Sequence, residues 1–155
     1  MTKNRPFYTG GLRFSCIRCS SCCRYESGFV FLSKNDVKNL AAECGMNYID
    51  FVEIYCRWIP AGGGEERLSL KEKSNYDCIF WKDGCSIYNA RPLQCRAFPF
   101  WQSILRSPEA WNMAKTGCPG MGRGALVTED AINSWLERQK AEPLLMKQTR
   151  KAGEV

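Results

Sequence analysis

Histidine is absent from the 155 residues of this sequence. Histidine is the commonest metal ligand in proteins and the side chain best suited to act as a general base near neutral pH. Its absence excludes Cys–His nucleophilic pairs and zinc sites that use imidazole nitrogen. A metal site in this chain must therefore depend on thiolates, with carboxylates as the remaining alternative.

The sequence also lacks the patterns that mark membrane insertion, export and nucleotide binding. It has no run of about 18 apolar residues, so we expect no transmembrane helix. The stretch MTKNRPFYTGGLRFSC has no apolar centre of the kind a signal peptide needs, so we expect a cytoplasmic protein. AGGGEER does not lead into the Gly-Lys-Ser/Thr ending of a P-loop. No acid–base dyad or serine nucleophile stands out, so the sequence predicts neither a reaction nor a substrate.

The cysteine content is the unusual part of the composition. With 45% hydrophobic and 25% charged residues, the chain is otherwise typical of a globular protein, and we expect residues 1–155 to form a single domain. Ten of the residues are cysteine. Disulfides are rare in a reducing cytosol, so clustered cysteines without an export signal indicate metal binding or catalysis.

The formal net charge of +6 has three explanations. It could reflect a solvated basic surface or nucleic-acid binding, but no base-reading motif accompanies the charge, so we do not expect nucleic-acid binding. The third explanation is local, because guanidinium groups can offset the negative charge of a thiolate site and donate hydrogen bonds to sulfur. The arginines near cysteines in sequence are Arg13, Arg18, Arg24, Arg57, Arg91, Arg96 and Arg123.

Four cysteines lie close together in CIRCSSCC. Cys16, Cys19 and Cys22 form two overlapping C-x2-C pairs, and Cys23 follows directly. This spacing suits a turn in which sulfurs converge on zinc, or on a cubane iron–sulfur cluster with a distant fourth thiolate. Adjacent side chains of an extended segment point to opposite sides. Cys22 and Cys23 therefore either lie on a sharply folded backbone or serve different sites.

Four more cysteines could complete the ligand set: Cys78, Cys85, Cys95 and Cys118. Four thiols from CIRCSSCC and four from this group would suffice for two closed four-thiolate sites. They would also suffice for one larger cluster with thiols to spare. Cys44 and Cys56 lie on the apolar faces of predicted helices, so we expect both to be small buried hydrophobic residues.

The hydrophobic pattern predicts an α+β fold, a small irregular domain organised by metal, with mostly short helices and a small β-hairpin. Ser33 is predicted to cap a first helix, and residues 46–60 to form a second one that Pro60 ends. RLSLKEK alternates like a strand, and Asp83-Gly84 predicts a hairpin turn.

Further along the chain, Ser107 is predicted to start a short helix, and CPGMGRG to be irregular. Thr128 is predicted to cap the last helix, with Ile132 on its apolar face. The C-terminal helix is expected to span about residues 128–148. The cysteine-cluster core is expected to span about residues 14–124, the stretch that carries the cysteine motifs.

These motifs together resemble a known family. CIRCSSCC fits a C-x2-C-x2-CC signature. The second block has C-x-F followed by G-C-x-I-Y-x2-R-P-x2-C-R-x-F-P, and CPGMGRG resembles a C-P-G-x-G-x-G ending. The pattern resembles the CxxCxxCC cysteine-cluster family, also called YkgJ-like and described as zinc- or iron-chelating. Ser20 departs from the glycine that often follows the second cysteine.

The resemblance implies a ligand set of Cys16, Cys19, Cys22, Cys23, Cys78, Cys85, Cys95 and Cys118. Related domains occur in flagellin lysine methylases, so it also suggests a part in protein modification such as lysine methylation, with a protein as substrate or partner. The alternatives are a non-catalytic, zinc-stabilised interaction module and a carrier of metal or clusters. A catalytic metal would keep an open coordination position, whereas a structural metal would be closed.

The metal itself is predicted to be an iron–sulfur cluster or Zn2+, since exclusive thiolate ligation suits either. We expect Phe98, Pro99 and Phe100 to shield the site from water and oxygen. The surplus thiols and this aromatic shielding favour the iron–sulfur cluster.

Overall fold

The computed structural model describes residues 4–19 and 28–149. In chain order the helices and strands of these ranges are β1 (Leu12–Phe14), α1 (Lys34–Glu43), α2 (Tyr48–Tyr55), β2 (Cys56–Gly62), β3 (Glu65–Leu70), a 3-10 helix (Tyr88–Ala90), α3 (Leu93–Ala97), α4 (Gln102–Leu105), α5 (Pro108–Lys115), β4 (Met121–Val127), α6 (Glu129–Ala141) and β5 (Met146–Gln148). The strands pair in small antiparallel sheets, and the predicted α+β class is confirmed.

The chain divides into two compact units. The first contains the described residues 4–19 and 97–141, and the second contains residues 28–96 and 142–149. The first unit has a two-stranded sheet of β1 and β4, and the second has a three-stranded sheet in the order β2-β3-β5. Each unit has its own hydrophobic cluster.

The core of the first unit is largely aromatic. Phe100 and Trp111 stack with ring centroids 6.2 Å apart, and Met121 and Ile132 are almost completely buried beside them. Ile132 lies on the predicted apolar face of α6, and on the same helix the Gln139 side chain donates to the carbonyl oxygen of Phe100 (2.9 Å). The amphipathic pattern of α6 was therefore predicted correctly.

The helix starts of the first unit follow their capping residues. The Ser107 hydroxyl accepts from Ala110 N–H at the start of α5, and the Thr128 hydroxyl accepts from Ala131 N–H at the start of α6. The last helix ends at Ala141 and not near residue 148, because Pro143 cannot continue it.

The prediction that CPGMGRG is wholly irregular is wrong from Met121 onward, because β4 begins there. The pairing of β4 with β1 contains a register shift: Arg13 lies opposite Leu126, but the next residue of β1, Phe14, lies opposite Met121. The intervening residues bulge out of the ladder, and two of them are glycines with a positive φ, at Gly122 and Gly124. Glycine is the residue that tolerates such a conformation.

The core of the second unit packs α1 and α2 against the sheet. Leu40 of α1, Phe51 of α2 and Leu68 of β3 are at most 1% exposed. α1 begins with a capping box, in which Ser33 and Asp36 each accept the other's backbone N–H, as the sequence indicated for its N-cap.

Residues 46–60 do not form the single helix that was predicted. α2 ends at Tyr55, and the following residues form β2, with Trp58 opposite Leu68. Within α2, Ile49 is 74% exposed, whereas Phe51 is completely buried. Pairing with β3 overrides helical periodicity here, because aromatic and β-branched residues such as Trp58 and Ile59 favour a strand.

The hairpin predicted at Asp83-Gly84 is reduced to one bridge between Trp81 and Cys85. Both turn residues have a positive φ, of 52° and 125°. The hairpin of the fold is instead β2–β3, which turns at Gly63 and Gly64. The strand β5, which pairs with β3, was not predicted at all.

Candidate metal centre

In the first unit, a backbone contact places the segment that carries Cys16 against the segment that follows Cys118. Ser15 N–H donates to the Gly120 carbonyl oxygen (3.2 Å), and the Ser15 hydroxyl accepts from Ala125 N–H (3.1 Å). A Cβ on Gly120 would overlap the Ser15 carbonyl, and a Cβ on Gly124 would overlap its hydroxyl. These glycines therefore allow two distant parts of the chain to approach closely.

Cys16 lies at the start of a tight turn. Arg18 N–H donates to the Cys16 sulfur at 3.4 Å. Arg18 has a φ of 55°, which is uncommon for a residue with a side chain and bends the backbone around the sulfur. A backbone N–H that points at sulfur stabilises the thiolate form, which is the form that binds metal.

The environment of Cys118 connects three thiols. Burial is the largest effect on the pKa of the Cys118 thiol, and it raises that pKa. The backbone N–H groups of Gly120 and Met121 donate to the Cys118 sulfur and lower the pKa, whereas the negative charges of Cys19 and Cys16 raise it further. The net result is a raised pKa. Sulfurs from two distant segments are thus within electrostatic range of one another.

Aromatic side chains pack around this part of the first unit. Phe14 meets Phe98 and Phe100 edge to face, with centroids 6.4 Å and 6.0 Å apart, and Phe98 meets Trp101 in the same way at 5.1 Å. Cys118 packs against the hydrophobic cluster that includes Phe100 and against which Phe98 also packs. Cys16 and Cys19 are exposed, whereas Cys118 is half-buried.

In the second unit, Cys78 and Cys85 lie at the two ends of one compact loop. Cys78 forms an isolated bridge with Glu72, and Cys85 forms one with Trp81. Trp81 N–H donates to the carbonyl oxygen of Cys78 (2.8 Å). Both cysteines are half-buried and pack against the core cluster of the second unit.

Cys95 is half-buried on α3, and Asp36 holds the start of this helix. The Asp36 carboxylate accepts the Leu93 N–H (3.0 Å) through one oxygen and the Ser33 N–H (2.9 Å) through the other. Asp36 is only 4% exposed. Its position three residues after Ser33 indicates a role in the first turn of α1, but nothing in the local pattern indicates its second role at α3.

The predicted ligands are thus located as follows. The first unit holds Cys16, Cys19 and Cys118, and the second holds Cys78, Cys85 and Cys95. Cys22 and Cys23 lie outside the described residues. Within residues 4–19 and 28–149, no group of three or more Cys, Asp or Glu side chains already has a metal-holding arrangement.

Residues 15–119 match the model of the CxxCxxCC family, whose description is "Putative zinc- or iron-chelating domain". The chain belongs to this family. The resemblance inferred from the cysteine motifs is therefore confirmed, and the family description supports metal binding in general, by zinc or by iron.

A relative of this CxxCxxCC protein is an uncharacterized protein of Methanocaldococcus jannaschii, 30% identical over 96 residues. The match covers 60% of this chain and 48% of the archaeal protein, so the chain spans about half the length of that relative. No solved structure is similar enough to count as a match. None of the helices in the described ranges is long and apolar enough to cross a membrane.

The donor chemistry of this CxxCxxCC domain fits zinc or iron. Thiolates are soft ligands that suit both metals, and the sulfurs of Cys16 and Cys118 already accept backbone N–H groups. Burial is the main cause of the raised pKa of Cys118, and a cation at Cys16, Cys19 and Cys118 would also offset the smaller contribution from the charges of Cys19 and Cys16.

Cys56 is buried as expected, whereas Cys44 is only half-buried. Cys56 is 5% exposed in the core of the second unit, and burial raises its pKa to about 12 although nearby Lys71 acts to lower it. Cys44 is half-buried at the end of α1, and burial, followed by the charge of Glu43, raises its pKa. Burial therefore favours the neutral form of both thiols.

Proposed function

We propose that this CxxCxxCC protein holds an iron–sulfur cluster through its clustered thiolates, with zinc as the alternative metal. The observation that carries the proposal is the relationship between Cys16 and Cys118. Their sulfurs come from distant segments, both accept backbone N–H groups, and the charges of Cys16 and Cys19 act on Cys118. Apolar packing gives no reason to gather groups whose charges repel, whereas a cation does.

The proposed ligands are the eight cysteines that the motifs contain: Cys16, Cys19, Cys22, Cys23, Cys78, Cys85, Cys95 and Cys118. Cys44 and Cys56 are left out, because neither belongs to the cysteine motifs. Eight thiols are enough for two four-thiolate sites, or for one cluster with thiols in reserve. The amount of metal bound per chain distinguishes these arrangements.

Two features favour iron–sulfur over zinc. A single zinc site needs only four thiolates, and the motifs supply twice that number. The Phe14–Phe98–Phe100 contacts form a compact aromatic group in the unit that contains Cys118. Apolar surroundings and N–H groups bonded to sulfur are features that tune the potential and solvent access of an iron–sulfur cluster.

The test is purification without oxygen, followed by analysis of iron, zinc and acid-labile sulfide and by an absorption spectrum. An iron–sulfur protein is coloured and contains iron and sulfide in a fixed ratio to protein. A colourless protein with stoichiometric zinc would eliminate the cluster and leave the zinc site. A folded protein that binds neither metal would eliminate both.

The biological role we propose is a component of protein modification, such as lysine methylation, as the resemblance suggests. Incubation with S-adenosylmethionine and lysine-rich proteins tests this role directly. Methyl transfer that depends on the metal-loaded protein is expected, and no transfer to any candidate would argue against an enzymatic part. A non-catalytic, zinc-stabilised interaction module is the alternative if protein ligands fill every coordination position of the metal.

A carrier of metal or clusters is a second candidate that one observation favours. Cys16 and Cys19 are exposed, and exposed thiolates can be exchanged for those of an acceptor protein. Mixing the loaded protein with an acceptor that lacks its cluster separates this role from a structural one. For a carrier, we expect the acceptor to be loaded faster by the metal-bound protein than by the same amount of metal free in solution.

A further inference from the structure

A surface cavity of about 380 Å³ lies in the second unit, between the C-terminal half of α1 and the segment around residues 89–96. Its polar lining comes from Asn39 and Glu43 of α1 and from Asn89, Arg91 and Arg96. Sites for small molecules typically have volumes of roughly 300–1,000 Å³, so the cavity is large enough for a small metabolite.

Both arginines of the cavity are held in place by the protein backbone. Arg91 Nε donates to the Tyr88 carbonyl oxygen (2.9 Å), and its guanidinium lies over the Tyr88 ring at 3.8 Å from the centroid. Arg96 Nε donates to the carbonyl oxygen of Arg91 (3.0 Å). In each case Nε is occupied, which leaves the Nη edge of the guanidinium for another partner.

Arg91 and Arg96 form no ion pair with the part of the chain that the structure describes. No carboxylate of the described residues comes within ion-pair distance of Arg91 or Arg96, and Glu43 is the one acidic side chain of the cavity lining. Two half-buried guanidiniums at one cavity repel each other, and an anion between them would remove this cost. Guanidinium edges match the geometry of carboxylate and phosphate oxygens, and the amides of Asn39 and Asn89 add donors.

We propose that this cavity binds a small anion that bears a carboxylate or phosphate group, with Arg91 and Arg96 as the binding residues. Arg96 directly follows Cys95 in the chain, so the test uses the metal-loaded protein. Glu43 weakens the site by repulsion, so its removal is expected to strengthen binding.

Calorimetric titration of the metal-loaded protein, with ionic strength held constant by sodium chloride, tests the proposal. Inorganic phosphate and succinate are the two probes. Saturable binding of phosphate alone would indicate a phosphate monoester as ligand, and saturable binding of succinate would indicate a carboxylate. Absence of saturable binding for both probes would overturn the proposal.

Three variants locate the binding. Arg91→Gln is expected to weaken it at least tenfold, whereas Arg106→Gln, which removes an exposed arginine of the first unit, should leave it within twofold of the wild type. If Arg91→Gln and Arg106→Gln weaken anion binding equally, the effect is one of net charge, and this result would contradict the proposed site. Glu43→Gln should tighten binding several-fold. Because Glu43 is exposed, Glu43→Gln should fold even if Arg91→Gln does not, so it provides an independent test of the site. An affinity in Glu43→Gln equal to that of the wild type would overturn the proposal.

Discussion

Ser15 N–H donates a hydrogen bond of 3.2 Å to the carbonyl oxygen of Gly120, so residues beside Cys16 and Cys118 are held together by their backbones. The contact is tight because Gly120 has no side chain, and a Cβ there would overlap the Ser15 carbonyl. The glycines of CPGMGRG thus have a physical role. They allow the strand after Cys118 to pass close to the segment that leads into CIRCSSCC.

Gly120→Ala is therefore expected to destabilise the first unit and lower its metal content. A backbone overlap cannot be relieved by rotating a side chain, so we expect a loss of about 1–3 kcal/mol in the free energy of unfolding. Urea denaturation and metal analysis of the purified variant measure both effects.

Gly10→Ala is the matched control, since a Cβ on Gly10 would meet nothing within 4 Å. It should change stability by less than about 0.5 kcal/mol and leave metal content unchanged. If Gly120→Ala behaves like this control, the close approach of the two segments does not matter to the site.

Asp36 provides a second prediction, because its carboxylate joins the starts of α1 and α3. Asp36→Ala leaves the buried N–H groups of Ser33 and Leu93 without their acceptor, at an expected cost of about 2–4 kcal/mol. Metal affinity should fall as well, since α3 carries Cys95. Asp50→Ala, which removes the corresponding but exposed acidic residue of α2, should cost less than about 1 kcal/mol. Similar losses in the two variants would contradict a special role for Asp36.

Local signals in the sequence were sufficient for the helix starts. Ser33, Ser107 and Thr128 each have a side-chain oxygen that accepts a backbone N–H in the first turn, and this interaction needs no information from elsewhere in the chain. The family was equally accessible, because the spacing of the cysteines is itself the signature.

Long-range pairing could not be predicted in the same way. Residues 56–60 were predicted to continue the second helix, but residues 56–62 form β2 because β3 offers a partner strand. The strand β5 is too short to show a pattern. The double role of Asp36 likewise depends on α3 lying beside α1. The cysteine motifs indicate which thiols to propose as ligands, but the sequence contained no sign that Ser15 meets Gly120.

The proposed ligand set predicts how cysteine variants differ. Cys19→Ser and Cys95→Ser should lose metal and unfold locally, because metal binding and folding are thermodynamically linked. Cys44→Ser should keep its metal, since Cys44 has a pKa raised by burial and lies outside the motifs. Metal analysis and the pattern of limited proteolysis compare the three. Full metal content in Cys19→Ser and Cys95→Ser would show that the ligands are misassigned.

Cys56 supplies a prediction about reactivity. Its pKa of about 12 and its 5% exposure leave almost no accessible thiolate at pH 8. Because alkylation requires the thiolate, iodoacetamide should modify Cys56 in the folded protein about a thousandfold more slowly than in the denatured chain. Peptide mass spectrometry over a time course measures this rate, and rapid modification under native conditions would contradict the buried position of Cys56.

The same pKa sets a direction for stability at alkaline pH. In the unfolded chain Cys56 loses its proton near its ordinary pKa of 9.0, whereas in the folded protein it keeps the proton up to about pH 12. The folded state therefore binds more protons in this window, and the free energy of unfolding falls as pH rises, by at most about 1.4 kcal/mol per pH unit from this group. Cys56→Ala should lose stability at neutral pH through the cavity it creates, but its stability should fall less steeply between pH 9 and pH 11. Parallel pH profiles in the two proteins, measured by urea denaturation, would show that Cys56 ionises as readily in the folded state as in the unfolded chain.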